Sequence, residues 1–289
     1  MFKGSFVALV TPFQDGKVDI ARLERLVEFH VESGTHGVVP CGTTGESATL
    51  THEEHERVIE TVTRTAEGRI VVLAGTGSNS TAEAVRMTKF AKDVGADGAL
   101  VITPYYNKPT QEGLFRHFET IAVECDMPVV LYNVPSRTAI DLLPETVARL
   151  AEISNIVGIK EATGSIDRTV EILRSCDIEV LSGDDSLTLA LMAVGASGVI
   201  SVAANVVPRL IVDLVDFAAA GDIEAAKDLH FRLYPLFRAL FVETNPIPVK
   251  AAAAHLGLCG PEIRLPLIEA SSSTRAALEK ALAEFETQV

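Results

Sequence analysis

Basic residues are few. Twenty-five lysines and arginines stand against 39 aspartates and glutamates, a net charge of −14. Phosphate backbones are held by a basic face, so this balance argues against a generic nucleic-acid binder. It leaves room for a local cationic pocket that takes a small anion. Cysteine is scarce as well. Cys41, Cys125, Cys176 and Cys259 lie far apart and form no C-x-x-C pair. That pattern points to reduced thiols in a reducing compartment and excludes a small disulfide scaffold. The first apolar run, Phe6–Val10, is too short for a signal-peptide core, and no A-x-A site follows it. The chain also lacks an unbroken membrane-length run. Residues 186–208 carry no charge, but Gly195, Ser197 and Gly198 interrupt them, and Asn205 and Pro208 close them. A buried helix, a turn and a buried strand are expected there instead of a membrane span. A cytoplasmic location with no membrane partner is the expectation.

What is present is ordinary globular material. The 289 residues are 47% hydrophobic and 22% charged, enough for a sizeable core. Eight short β-type runs recur at 6–10, 37–40, 70–74, 98–102, 129–132, 156–160, 179–181 and 198–202. Helical patterns lie between them. Ile20, Leu23, Val27 and Val31 keep one face apolar. Thr51-x-x-Glu54 and Ser80-x-x-Glu83 have the form of capping boxes, and Gly34 and Gly95 stand where helices end. Strands that alternate with helices run parallel and are joined by crossovers. Most of the runs are apolar throughout, as expected of strands covered on both faces. Eight such units predict an α/β fold, a closed (β/α)8 TIM barrel over residues 1–221, with a doubly wound sheet as the alternative. Residues 222–289 are read as a helical region of about three helices packed on the barrel.

In a barrel of this kind the chemistry sits at the C-terminal ends of the strands. Polar residues gather at those positions: Cys41-Gly42-Thr43-Thr44-Gly45-Glu46 after the second run, Tyr105-Tyr106-Asn107 after the fourth, and Tyr132-Asn133-Val134-Pro135-Ser136-Arg137 at the fifth. Lys160-Glu161-Ala162-Thr163 ends the sixth, and Ser182-Gly183-Asp184-Asp185 the seventh. Lys160 closes an apolar run, so its stem leaves a hydrophobic barrel. Desolvation disfavours an ammonium, and a neutral amine can form a Schiff base with a ketone. The alternative is a strand-capping lysine paired with Glu161. Tyr132 on the neighbouring strand can give and take protons beside that amine. Thr43 and Thr44, between glycines, offer hydroxyls and backbone N–H groups suited to a carboxylate, or form a simple turn. Gly75-x-Gly77 lacks the rest of a nucleotide-binding fingerprint, and a turn is expected. His52-Glu53-Glu54-His55 has its histidines three apart, not four, so no metal site is expected.

Taken together, Gly42-Thr43-Thr44-Gly45-Glu46, Tyr105-Tyr106-Asn107-x-Pro109, Tyr132 to Thr138 and Gly158-Ile159-Lys160-Glu161-Ala162-Thr163 resemble the dihydrodipicolinate synthase family of pyruvate-dependent Schiff-base aldolases. The resemblance runs over nearly the whole chain, including Asn245-Pro246-Ile247-Pro248-Val249-Lys250. It implies a lyase that condenses pyruvate with aspartate 4-semialdehyde on the route to lysine and diaminopimelate. No metal or nucleotide cofactor is implied. Lys160 would carry the imine and Tyr132 the protons, with Thr43 and Tyr106 completing a relay. In the family that second tyrosine reaches across a tight dimer, and the assembly is a homotetramer. Thr44, Ile200 and Gly183 fall in the implied substrate site, and Arg137 matches the group that holds the semialdehyde carboxylate. Ser47, Ala48, His52, His55, Asn79, Glu83 and Tyr105 match positions that bind lysine as a feedback inhibitor.

Three alternatives stay open on the residues alone. A sibling aldolase such as a sialic-acid lyase or a keto-deoxy-sugar aldolase would use the same imine, although Arg137 suits a carboxylate better than a sugar hydroxyl. A silent barrel that only binds a keto acid would not need Lys160, Tyr132, Thr43 and Tyr106 together. A nucleotide-dependent oxidoreductase has only the weak Gly75 motif in its favour.

Overall fold

The computed structural model describes residues 2–285. Eight parallel strands close into a barrel: β1 (Gly4–Ala8), β2 (Gly37–Val39), β3 (Val71–Gly75), β4 (Gly98–Ile102), β5 (Val129–Asn133), β6 (Ile156–Glu161), β7 (Glu179–Ser182) and β8 (Gly198–Ser201). Each strand pairs with the next in sequence, and β1 pairs with both β2 and β8, so no edge remains. The eight expected runs are thus the eight barrel strands, and the doubly wound alternative is excluded by closure.

One strand is displaced from its expected place. The first run was expected at Phe6–Val10, but the ladder begins at Gly4, opposite Gly198, and ends at Ala8. Beyond it the Val10 N–H is taken by the side chain of Asn205 at 3.0 Å, so the backbone leaves the sheet without losing a hydrogen bond. A short antiparallel hairpin, Phe13–Gln14 with Lys17–Val18, follows β1. Inside the barrel lie Phe6, Ala8, Val39, Leu73, Leu100, Val130, Leu181 and Ile200. Outside, the strands and helices share a second apolar layer. Its largest part also takes in Leu233, Phe237, Val249 and Leu278 from the later helices.

The helix signals divide. At Thr51 both hydrogen bonds of a capping box form around Glu54, at 3.2 and 3.0 Å. At Ser80 they do not: its side chain caps nothing, and Glu83 instead accepts a hydrogen bond from Ser78 at 2.7 Å. Gly34 and Gly95 take up the left-handed conformation just past their helices, as expected. The uncharged stretch becomes a helix at Thr188–Ala193 and then β8. Among the described residues no helix is long and apolar enough to cross a membrane. After helix Pro208–Ala219 come helices Ile223–Ala239, Ile247–His255 and Ser272–Leu282.

Two histidines are buried in neutral form. His30 is fully enclosed beside Thr35, and burial lowers its pKa to about 3; His117 is lowered to about 4 for the same reason. The unfolded chain takes up these protons near the ordinary value of about 6.5, whereas the folded chain does not. The unfolded state therefore binds more protons between those values, and stability rises with pH there. We expect stability to fall as pH drops below about 6.5, by up to about 1.4 kcal/mol per pH unit per histidine. Urea unfolding between pH 7 and 5 should show a shallower slope in His30→Gln; an unchanged slope would refute the assignment.

Candidate active site

Register places the two central side chains. Tyr132 of β5 lies opposite Lys160 of β6. Neighbours in register point to the same face, so both project inward at the C-terminal rim. The Lys160 Nζ sits 4.4 Å from the centre of the Tyr132 ring, and Lys160 is only 6% exposed. The next residue points the other way. Glu161 lies opposite Asn133, accepts its Nδ2 at 3.2 Å and also takes the Thr163 N–H at 2.7 Å. Strand alternation therefore removes the reading in which Lys160 pairs with Glu161. Burial raises the Glu161 pKa, and these hydrogen bonds oppose the shift.

A glycine makes room for the lysine. A Cβ on Gly183 would stand 2.6 Å from the Ala162 Cβ and 3.2 Å from the Lys160 Cε. Gly183 thus allows β7 to approach the lysine stem closely.

Lys160 opens into a cavity of about 380 Å³ whose walls include Thr43, Thr44, Tyr132, Arg137 and Gly183. Ile200 is fully buried among the residues inside the barrel; the cavity wall near it is Val202. A second cavity of about 300 Å³ adjoins the first and shares Thr43, Tyr132, Arg137 and Asn245 with it. Ser47, Ala48, His55, Glu83 and Tyr105 line this second space. His52 and Asn79 do not line it but contact residues that do. His52 Nδ1 is 3.5 Å from Glu83, and Asn79 donates to the Tyr105 carbonyl at 3.1 Å. The candidate lysine-binding residues are therefore brought together.

Tyr106 is the exception. It is 90% exposed, has a positive φ of 74° and lines neither cavity within one chain.

The His52–His55 segment has ordinary structural work. His55 Nε2 bonds the Gly75 carbonyl at 2.7 Å, and burial lowers its pKa, so the neutral ring donates. Glu54 caps its own helix and pairs with Arg264. Gly75 faces the Cys41 carbonyl, where a Cβ would sit 2.3 Å from the oxygen, so this glycine serves close backbone packing. Cys41 is buried, and burial pushes its thiol pKa up.

The Gly42–Glu46 loop is tied down from the helical tail. Asn245 Nδ2 donates to the Thr44 hydroxyl at 3.0 Å, and the Asn245 carbonyl accepts from Arg137 at 3.1 Å. One residue thereby holds both proposed carboxylate-binding groups. Glu46, in left-handed conformation, pairs with the Lys250 ammonium and also accepts the Arg264 N–H at 3.0 Å. Both side chains of that ion pair are enclosed, at 1% and 2% exposure. Residue roles that strand-end reading did not assign include Asn245, Asp184 and Arg238, all on the Lys160 cavity. Asp184 stands at a strand end, where it was visible. Arg238 lies within a tail helix and carries no local signal.

This geometry, an enclosed lysine and tyrosine in a cavity with one fixed guanidinium, belongs to a barrel lyase of the Schiff-base-forming, pyruvate-dependent kind. The comparisons with known proteins sharpen the class. Residues 1–285 match the model of the dihydrodipicolinate synthetase family. A 4-hydroxy-tetrahydrodipicolinate synthase of Pelobacter propionicus is 56% identical over 280 residues, covering 96% of this chain and 97% of that one. The crystal structure of the chloride-inhibited dihydrodipicolinate synthase from Acinetobacter baumannii complexed with pyruvate superposes with a TM-score of 0.97. It is 48% identical and covers 100% of both chains. The enzyme from Cyanidioschyzon merolae with lysine bound gives a TM-score of 0.95 at 42% identity, over 98% of this chain and 97% of that one. The chain belongs to the dihydrodipicolinate synthetase family.

The buried ion pair is open to test. Removing one charge strands the other in a dry interior, which costs about 3–5 kcal/mol. We expect Glu46→Gln to lose about 3 kcal/mol in urea unfolding at pH 7. A loss below about 0.5 kcal/mol would show that the pair does not secure the loop.

Proposed function

We propose that this chain carries out the 4-hydroxy-tetrahydrodipicolinate synthase reaction on an imine at Lys160. The observation that carries the reading is the enclosed Lys160 amine over the Tyr132 ring, in a cavity that Arg137 also lines. The neutral amine attacks the ketone carbon of pyruvate, water leaves, and an iminium forms. The iminium is an electron sink, so a methyl proton departs and an enamine results. The enamine carbon then attacks the aldehyde carbon of L-aspartate 4-semialdehyde. Tyr132 passes the protons, with Thr43 beside it and Tyr106 supplied across a tight dimer of a homotetramer. That assembly accounts for a tyrosine left 90% exposed in a single chain. Thr44 and the Ile200 backbone receive the pyruvate carboxylate, and Gly183 lines the same substrate site. Arg137 holds the carboxylate of the semialdehyde, a task suited to its planar fork. The iminium on Lys160 is itself the electron sink, so the reaction calls for no metal or nucleotide.

The adjoining cavity is the proposed site of lysine feedback. His52, His55, Asn79, Glu83 and Tyr105 cluster there with Ser47 and Ala48. Glu83 pairs with an ammonium, and the shared Thr43–Tyr132 wall carries the effect to the reaction. Residues 1–221 form the catalytic barrel in this reading, and residues 222–289 are a helical region serving assembly. The location is cytoplasmic.

Incubation with pyruvate and borohydride, followed by digestion and mass measurement, should place an adduct on the Lys160 peptide. Lys160→Ala should trap nothing and keep less than about a thousandth of parental turnover. Arg137→Ala should still trap pyruvate but lose use of the semialdehyde by about 100-fold. An adduct elsewhere, or near-normal turnover of Lys160→Ala, would reject the mechanism. Saturating lysine should lower the initial rate of the parent several-fold; a rate unchanged by lysine would reject the regulatory reading.

A further inference from the structure

The proposed acceptor aldehyde is an amino acid, and its two charged ends need different partners. Arg137 accounts for the carboxylate, but the α-ammonium has been given none. Among the described residues lining the Lys160 cavity, Asp184 is the only carboxylate. Its position is well held. The Asp184 N–H donates to Ser182 Oγ at 3.1 Å, and its carbonyl accepts from the Ser182 and Thr188 hydroxyls at 2.9 and 3.0 Å. Among the described residues its carboxylate, by contrast, accepts a hydrogen bond only from the Ser186 hydroxyl, at 3.5 Å. The next aspartate shows the difference. Asp185 is buried, and its Oδ2 accepts the N–H groups of Val202 and Ala203 at 3.0 and 2.9 Å, tying β7 to β8. Of the adjacent pair, Asp185 is structural and Asp184 faces the cavity. Asp184 follows Gly183, the residue that lies against the Lys160 stem.

We propose that Asp184 is a further catalytic residue: it binds the α-ammonium of the acceptor aldehyde and takes its proton when the ring closes on Lys160. This rests on the function proposed above. Once the new carbon–carbon bond is made, the product is still joined to Lys160 through an iminium. The product's own amine can release it. As an ammonium it has no lone pair, so it first gives one proton to the Asp184 carboxylate. The neutral amine then adds to the iminium carbon, forming a carbon–nitrogen bond. The bond from that carbon to Lys160 Nζ breaks, and the departing amine takes up a proton. The ring forms without any oxidant or reductant. Burial raises the Asp184 pKa, with the Ser186 hydroxyl and then the positive charge at Lys160 opposing the shift, which makes the carboxylate a better base than a surface aspartate.

The test compares two aldehydes on Asp184→Asn and on the parent, with pyruvate present. One is L-aspartate 4-semialdehyde. The other is succinic semialdehyde, which keeps the aldehyde and the carboxylate but has no amine. The variant should lose about 100-fold of its preference for the amino aldehyde over the desamino one. With the amino aldehyde, borohydride quenching should reveal the condensed adduct accumulating on the Lys160 peptide of the variant, because ring closure no longer clears it. Equal losses on both aldehydes, or no loss on either, would overturn the assignment while leaving the imine mechanism standing. A parent that condenses neither aldehyde would instead sink the proposed function, and the role of Asp184 with it.

Discussion

The ion pair between Glu46 and Lys250 is the constraint on which the rest of the site depends. Both side chains are enclosed, and their attraction acts across a dry interior where an isolated charge is costly. Glu46 ends the loop that presents Thr43 and Thr44, and Lys250 belongs to a helix more than 200 residues later in the chain. The Lys250 ammonium also lies 4.0 Å from the centre of the Phe13 ring, so the hairpin after β1 joins the same cluster. Two further bonds from the tail, Asn245 to Thr44 and Arg264 to Glu46, complete the attachment. The helical tail therefore does more than cover the barrel. It sets the shape of a loop whose own sequence, rich in glycine, would leave it free.

The same loop borders both cavities. Thr43 and Tyr132 lie on the wall they share, Glu46, Ser47 and Ala48 face the second cavity, and Thr44 faces the first. A ligand in the second cavity touches the element that shapes the first. The proposed regulatory site would thereby have a short route to the reaction, through lining residues common to both cavities. The acidic surface fits with this arrangement. A chain with a net charge of −14 can take anionic substrates only where cations are gathered locally. Lys160, Arg137 and Arg238 all line the Lys160 cavity, with Asp184 as the single carboxylate among its described lining residues.

The sequence by itself determined the architecture and pointed to the candidate site. Eight apolar runs alternating with amphipathic helices encode a closed parallel barrel, because parallel strands need both faces covered and crossovers to join them. Barrel geometry then places function at strand ends, which singles out Lys160, Tyr132, Thr43, Thr44 and Arg137 from local sequence. Helix starts were legible where the cap was local, as at Thr51, and misleading at Ser80, where Glu83 is drawn to Ser78. Only the tertiary structure decided the rest. Strand register turned Lys160 inward and Glu161 away from it, a one-residue difference that composition cannot express. The roles of Asn245, Lys250 and Arg264 arise from contacts spanning about 200 residues, for which no local pattern exists. The different surroundings of Asp184 and Asp185 are likewise invisible in two identical letters. It follows from which carboxylate the backbone of the neighbouring strand happens to meet.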